Sequence, residues 1–232
     1  EKEEPEEPEA AAAEEEPQAE EDDLLDTLSV EEAAEAAETP EEQSLRKILS
    51  ILDRTEDPEK YYEGALLLAS LAEHFVQQHL WKPLLKLIVV LEHHSADPAR
   101  SVEFKKYSFR ALRKITTPEV IRGLLTELVA EGRSDDEIAS LLGILAILGG
   151  LAADAVLHRL PFAKDPYAQN LLEQALYRIG PVAAPKLHAL LASGDPAAVK
   201  LALRALAAYR LPESVEQLGD LAAHPDAAVR EE

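Results

Sequence analysis

The 232-residue chain contains no cysteine and no methionine, and aromatic residues make up only 5% of it. Without cysteine there is no disulfide framework, no thiolate nucleophile and no cysteine-based zinc site. That absence fits a reducing compartment, and a cytoplasmic location is expected. Long apolar runs are also missing. A membrane-spanning helix needs about 18–20 such residues, and the best run, Leu84 to Leu91, is far shorter. No membrane partner is expected. The nine glycines form no phosphate-binding loop. Strand-forming residues are sparse, and no clean period-two alternation stands out.

What is present is leucine, alanine and acid. Hydrophobic residues reach 47%, carried by Leu and Ala, the strongest helix formers. The net charge of −22 is unevenly placed. Residues 1–44 hold 20 acids and one base, Lys2, while residues 45–232 hold 25 acids and 22 bases. The first stretch therefore carries −19 and the remainder −3. A nearly neutral folded part disfavours general affinity for nucleic acid, which requires a cationic surplus. Residues 1–22 are low-complexity and too poor in apolar mass to offset the entropy of ordering. A disordered acidic tail is expected over 1–40, with the folded boundary near Thr39–Pro40. Leu24, Leu25, Leu28 and Val30 form an apolar island in it, read as linker or as a short docking motif.

From residue 41 the chain repeats itself. Asp-Pro recurs at Asp57-Pro58, Asp97-Pro98, Asp165-Pro166 and Asp195-Pro196; Asp135-Asp136 holds the equivalent slot, and Pro225-Asp226 opens another. Asp at an N-cap accepts from the first unpaired backbone amides, and Pro at the first helical position has the right φ and no amide to leave unpaired. A second punctuation falls midway, at Trp81-Lys82-Pro83, Thr117-Pro118, Gly149-Gly150, Gly180-Pro181 and Leu211-Pro212. Each unit reads as helix A, tight turn, helix B. The spacing predicts A helices over 60–79, 99–115, 136–148, 167–179 and 197–209. It predicts B helices over 83–94, 118–131, 152–160, 182–192 and 212–223. Both kinds are apolar over most of their circumference, which requires cover on several sides. Stacked pairs supply that cover and an isolated hairpin does not.

The segment DPAAVKLALRALAAYRLPESVEQLGDLAAHPDAAVREE, residues 195–232, resembles HEAT repeats, in particular the short bacterial kind also seen in phycobilin lyases. DPYAQNLLEQALYRIGPVAAPKLHALLASGD, residues 165–195, follows the same pattern. The likeness is looser over 57–164 and does not extend to the tail. It implies an all-α solenoid of stacked antiparallel helix pairs, a HEAT-like superhelix of about five pairs over 41–232. Residues 226–232 read as the first turns of a further repeat, so more repeats are expected beyond them.

Catalytic chemistry is hard to find. His74, His79, His93, His94, His158, His188 and His224 are scattered, without metal-ligand spacing, and read as solvated or as charges suited to helix C-termini. No nucleophile motif appears. No catalytic residue, metal or cofactor is therefore expected. One constellation stands out in RSVEFKKYSFRALRK, residues 100–114. Arg100, Lys105, Lys106, Arg110, Arg113 and Lys114 stand against a single acid, Glu103, and Lys106, Arg110 and Arg113 share a stripe at i, i+4, i+7. Such a stripe is either a solvated outer face or an anion-binding surface. A second candidate follows from the resemblance, which implies that B helices line the concave side. Its exposed strip would run Lys82, Lys86, His93, then Glu119, Arg122, then Arg159, Lys186, then Glu213, Glu216 and Asp220, basic at one end and acidic at the other.

The function expected is a non-catalytic scaffold that binds a protein partner, an acidic segment included, with the acidic tail as tether or as an intramolecular ligand for the basic stripe. The alternatives are a phycobilin-lyase-like enzyme, for which no residue marker is present, and nucleic-acid binding through Lys105 to Lys114.

Overall fold

A computed structural model describes residues 39–193, 195–214, 219 and 226–231. The chain divides into two units, residues 1–43 and 44–232, and the second carries the fold set out here. The expected tail up to residue 38, its apolar island included, lies outside the described residues.

The described residues form an all-α fold: α1 (Pro40–Arg54), α2 (Pro58–Gln77), α3 (Trp81–Ala96), α4 (Val102–Ile115), α5 (Pro118–Leu128), α6 (Asp135–Leu148), α7 (Gly150–Arg159), α8 (Pro166–Ile179), α9 (Ala184–Leu191), α10 (Pro196–Tyr209) and the single turn α11 (Ala227–Arg230). Short 3₁₀ segments, Leu160–Phe162, Gly180–Ala183 and Pro212–Ser214, follow α7, α8 and α10. The last predicted B helix begins as the 3₁₀ turn at Pro212, and most of the rest of it lies outside the described residues. The helix predicted from 182 opens as a 3₁₀ turn and becomes α-helical only at Ala184.

The Asp-Pro caps form at three of the predicted sites. The side chains of Asp57, Asp165 and Asp195 accept from the backbone N–H of Glu59, Ala168 and Ala197 at 2.9, 3.0 and 3.0 Å. Asp226 caps α11 in the same way, accepting from Ala228 at 2.8 Å. Two sites depart from expectation. Asp97 follows the end of α3, where its side chain accepts from Ala99 N–H at 2.8 Å in a turn, and α4 starts only at Val102, after Ser101. At the third unit the cap is Ser134 and not Asp135. Ser134 is followed by Glu137 three residues later, and the two exchange hydrogen bonds in a capping box. The box satisfies two amides where Asp135 would satisfy one.

Packing joins helices close in sequence. α2 packs on α4, α6 on α8, α7 on α8 and α9 on α10. This row of stacked pairs is the α-solenoid arrangement. Its core is mostly aliphatic: Ala65, Leu68, Ala69, Ala72, Leu84, Leu87, Leu91, Leu124, Leu128, Leu145, Leu172, Ala175, Leu176, Ala202 and Leu206 are almost fully buried. Each such leucine contributes roughly 1.5–3 kcal/mol. One contact breaks the simple order of units. α3 packs on both α4 and α6. Gly143 permits this approach, since a Cβ there would stand 3.1 Å from Leu85 Cδ2.

No single helix among the described residues is long and apolar enough to cross a membrane.

Candidate functional site: a cleft between α5 and α7

Two local sequence features open a cleft on the B-helix side. Thr117 caps α5, its hydroxyl accepting from Val120 N–H at 3.4 Å, and Pro118 fixes the first turn. Gly149, at φ +56°, ends α6 and begins α7, and the chain bends there by 118°. Glycine takes that backbone conformation without steric cost. Between α5, α7 and the C-terminal end of α4 lies a cavity of about 740 Å³.

Its walls are two-sided in chemistry. The apolar part is Ile121, Leu125, Leu151, Ala155 and Phe162. Leu151 and Phe162 are 59% and 72% exposed, an unusual position for large apolar side chains beside an open cleft. The polar edge carries Arg113, Arg122, His158 and Arg159. The hydroxyls there are engaged locally: Thr116 donates to Leu112 O at 2.8 Å, and Thr117 holds its cap. The single carboxylate of the lining, Asp154, pairs with Lys186 on α9. Arg122 pairs with the exposed Glu119 at 2.9 Å, and Arg159 donates to Thr126 Oγ1 at 3.1 Å. Exposed pairs of this kind are worth little and exchange readily. Guanidinium groups at an apolar opening can take a carboxylate in a forked hydrogen bond while the floor buries an aliphatic group.

The predicted site residues fall into three sets. Arg122 and Arg159, from the expected concave strip, meet in this cleft, and Lys186 touches it through Asp154. Arg113, from the predicted stripe on α4, joins them. Lys106 and Arg110 continue the stripe from Arg113 along the exposed face of α4. Lys105 is half-buried, and Lys114 turns to a smaller recess of about 290 Å³ beside Glu73, Val76 and Gln77 of α2. Lys82, Lys86 and His93 lie exposed along α3, and none of them lines the cleft. α3 packs on α4 and α6, and α5 packs on α6 and α7. Of its acidic end, Glu216 and Asp220 and the side chain of Glu213 lie outside the described residues.

Sequence reasoning missed a buried polar network. His94 was expected in solvent or at a helix end, yet it is 2% exposed. Its Nδ1 lies 2.8 Å from Tyr61 Oη, and Tyr61 Oη lies 2.5 Å from Ser108 Oγ. Ser108 in turn donates to Phe104 O at 3.0 Å. Ser108 Oγ, Tyr61 Oη and His94 Nδ1 thus form one buried hydrogen-bonded chain. On the other side of the ring, His94 Nε2 lies 2.9 Å from Arg100 Nη2. Arg100 also donates to Asp53 Oδ1 at 3.3 Å, and that oxygen lies 2.8 Å from Nε2. The Arg100 guanidinium and the Asp53 carboxylate thus reach the same ring nitrogen. Burial first, then Arg100, lowers the His94 pKa, in keeping with a neutral ring. Tyr61 is fully buried, and burial raises its pKa. The network ties α1, α2, α3 and α4 together. The signal for it was weak: an Asp, a Tyr, a His and a Ser 33 to 47 residues apart where adjacent, with no shared motif.

Among the described residues no group of three or more His, Cys, Asp and Glu side chains could hold a metal ion.

No protein-family model matches the chain, and no curated protein sequence matches it. Solved structures do. Human deoxyhypusine hydroxylase in complex with glycerol is similar at 20% identity over 82% of this chain and 70% of that one, with a TM-score of 0.32. Two engineered proteins are similar at 23% and 20% identity, over 81% of this chain in each case and 92% and 55% of theirs, with TM-scores of 0.28 and 0.25.

Proposed function

We propose that the chain is a non-catalytic protein-binding module of the HEAT-repeat kind, and that it takes a segment of a partner protein into the cleft between α5 and α7. The observation that supports this reading is the exposed pair Leu151 and Phe162 in a cleft whose lining is otherwise apolar at Ile121, Leu125 and Ala155 and carries Arg113, Arg122 and Arg159. Large apolar side chains held in water beside a concave surface mark an interaction site. A cavity of this size suits two or three side chains of an inserted segment. The resemblance of residues 165–232 to HEAT repeats agrees with such a role.

Selection of peptides from a random display library on the immobilised full-length chain tests this. The enriched peptides should bind saturably and lose at least tenfold in affinity on Leu151→Glu and on Phe162→Asp. Both positions are exposed, so the fold should tolerate the changes. Peptides that bind the two variants as well as the parent would place the interaction elsewhere.

A further inference from the structure

The basic stripe on α4 and the cleft meet at one residue. Arg113 is the last member of the i, i+4, i+7 series Lys106, Arg110, Arg113, and it also lines the cleft beside Thr116, Thr117 and Arg122. All three stripe residues are exposed, and none makes an ion pair or hydrogen bond among the described residues. Phe109, 56% exposed, stands among them on α4. From Lys106 to Arg113 the helix rises about 10 Å, the length of roughly three residues of an extended peptide. The cations of the cleft edge are mostly answered by protein groups, whereas those of the stripe are not.

Resting on the cleft reading above, we infer that the partner segment is an apolar anchor followed or preceded by a run of acidic residues, with the anchor in the α5–α7 cleft and the acids along Lys106, Arg110 and Arg113. Charge complementarity selects this occupant. A neutral segment would leave three exposed cations without use, and an acidic segment without an anchor would leave Leu151 and Phe162 in water. Carboxylate side chains suit the forked geometry of Arg110 and Arg113. The anchor would set position, and the acids would speed encounter and fix the direction of the bound chain.

Fluorescence anisotropy on the full-length chain decides this with three labelled peptides. One carries a Leu-Leu-x-x-Leu anchor joined to six glutamates, the second the same anchor joined to six glutamines, and the third six glutamates without an anchor. The first should bind at least tenfold tighter than the second, and the gain should vanish in Lys106→Glu/Arg110→Glu and in high salt. The second peptide should bind that double variant as it binds the parent. Equal binding of the first two peptides would overturn the acidic-run assignment and leave the cleft reading standing. If neither anchored peptide binds, the cleft reading itself falls. If the glutamate run alone binds as well as the first peptide, or a single-stranded oligonucleotide binds more tightly than it and is lost in the same double variant, the stripe serves a plain polyanion and the composite partner is wrong.

Discussion

Tyr61 Oη and His94 Nδ1 lie 2.8 Å apart although 33 residues separate them in the chain. That bond and the one to Ser108 bring α2, α3 and α4 to a common point in a mostly aliphatic core. Tyr61→Phe would remove the hydroxyl and leave the buried His94 Nδ1 without its partner. A loss of about 1–3 kcal/mol is expected, read as a lowered urea midpoint. An unchanged midpoint would mean that water replaces the hydroxyl at no cost.

The same histidine couples stability to pH. Its folded pKa is lowered below 6.5 by burial and by Arg100, with His93 acting in the same direction and Asp53 opposing. As pH falls, the unfolded chain takes up this proton first. The His94 contribution is therefore complete above 6.5 and lost as pH drops from there through the lowered folded value. Urea unfolding at pH 7.5 and 5.0 should show a smaller difference for His94→Gln than for the parent. An equal difference in both proteins would assign the pH response to other groups.

Leu142 and Leu145 sit in the most apolar A helix, and both were expected inside the stack. They are 2% and 0% exposed. Leu145→Asp should cost several kcal/mol, since a carboxylate there has no partner. Because each pair leans on its neighbours, the helices on either side of α6 should lose cooperativity, visible as a broadened thermal transition.

Much of this was legible beforehand because its causes are local. Asp-Pro caps, the Gly149-Gly150 turn and the 3.6-residue apolar period act within one helix, and they located the boundaries of α2, α5, α8 and α10 closely. The misses have physical reasons too. Asp97 looks like a cap in sequence, but α3 runs on to Ala96 and leaves it to a turn. Asp135 lost to Ser134 because a reciprocal pair with Glu137 was available. The close passage of Leu85 over Gly143, and the burial of His94, depend on which helices stack, and periodicity carries no information on that. The stripe on α4 was visible as charge at helical spacing, whereas its junction with the cleft at Arg113 needed coordinates.

Ser134→Ala isolates the value of that capping box. It should cost about 1 kcal/mol, with Asp135→Ala near neutral by comparison. The reverse ranking in chemical denaturation would restore Asp135 as the cap.

Methyl resonances of Ile121, Leu125 and Leu151, followed while an anchored acidic peptide is titrated into the full-length chain, report most directly on whether the α5–α7 cleft is where a partner sits. These methyls should shift in proportion to peptide bound, while those of Leu172 and Leu206, in the core of α8 and α10, stay in place. Saturable binding that leaves Ile121, Leu125 and Leu151 unmoved would contradict the account.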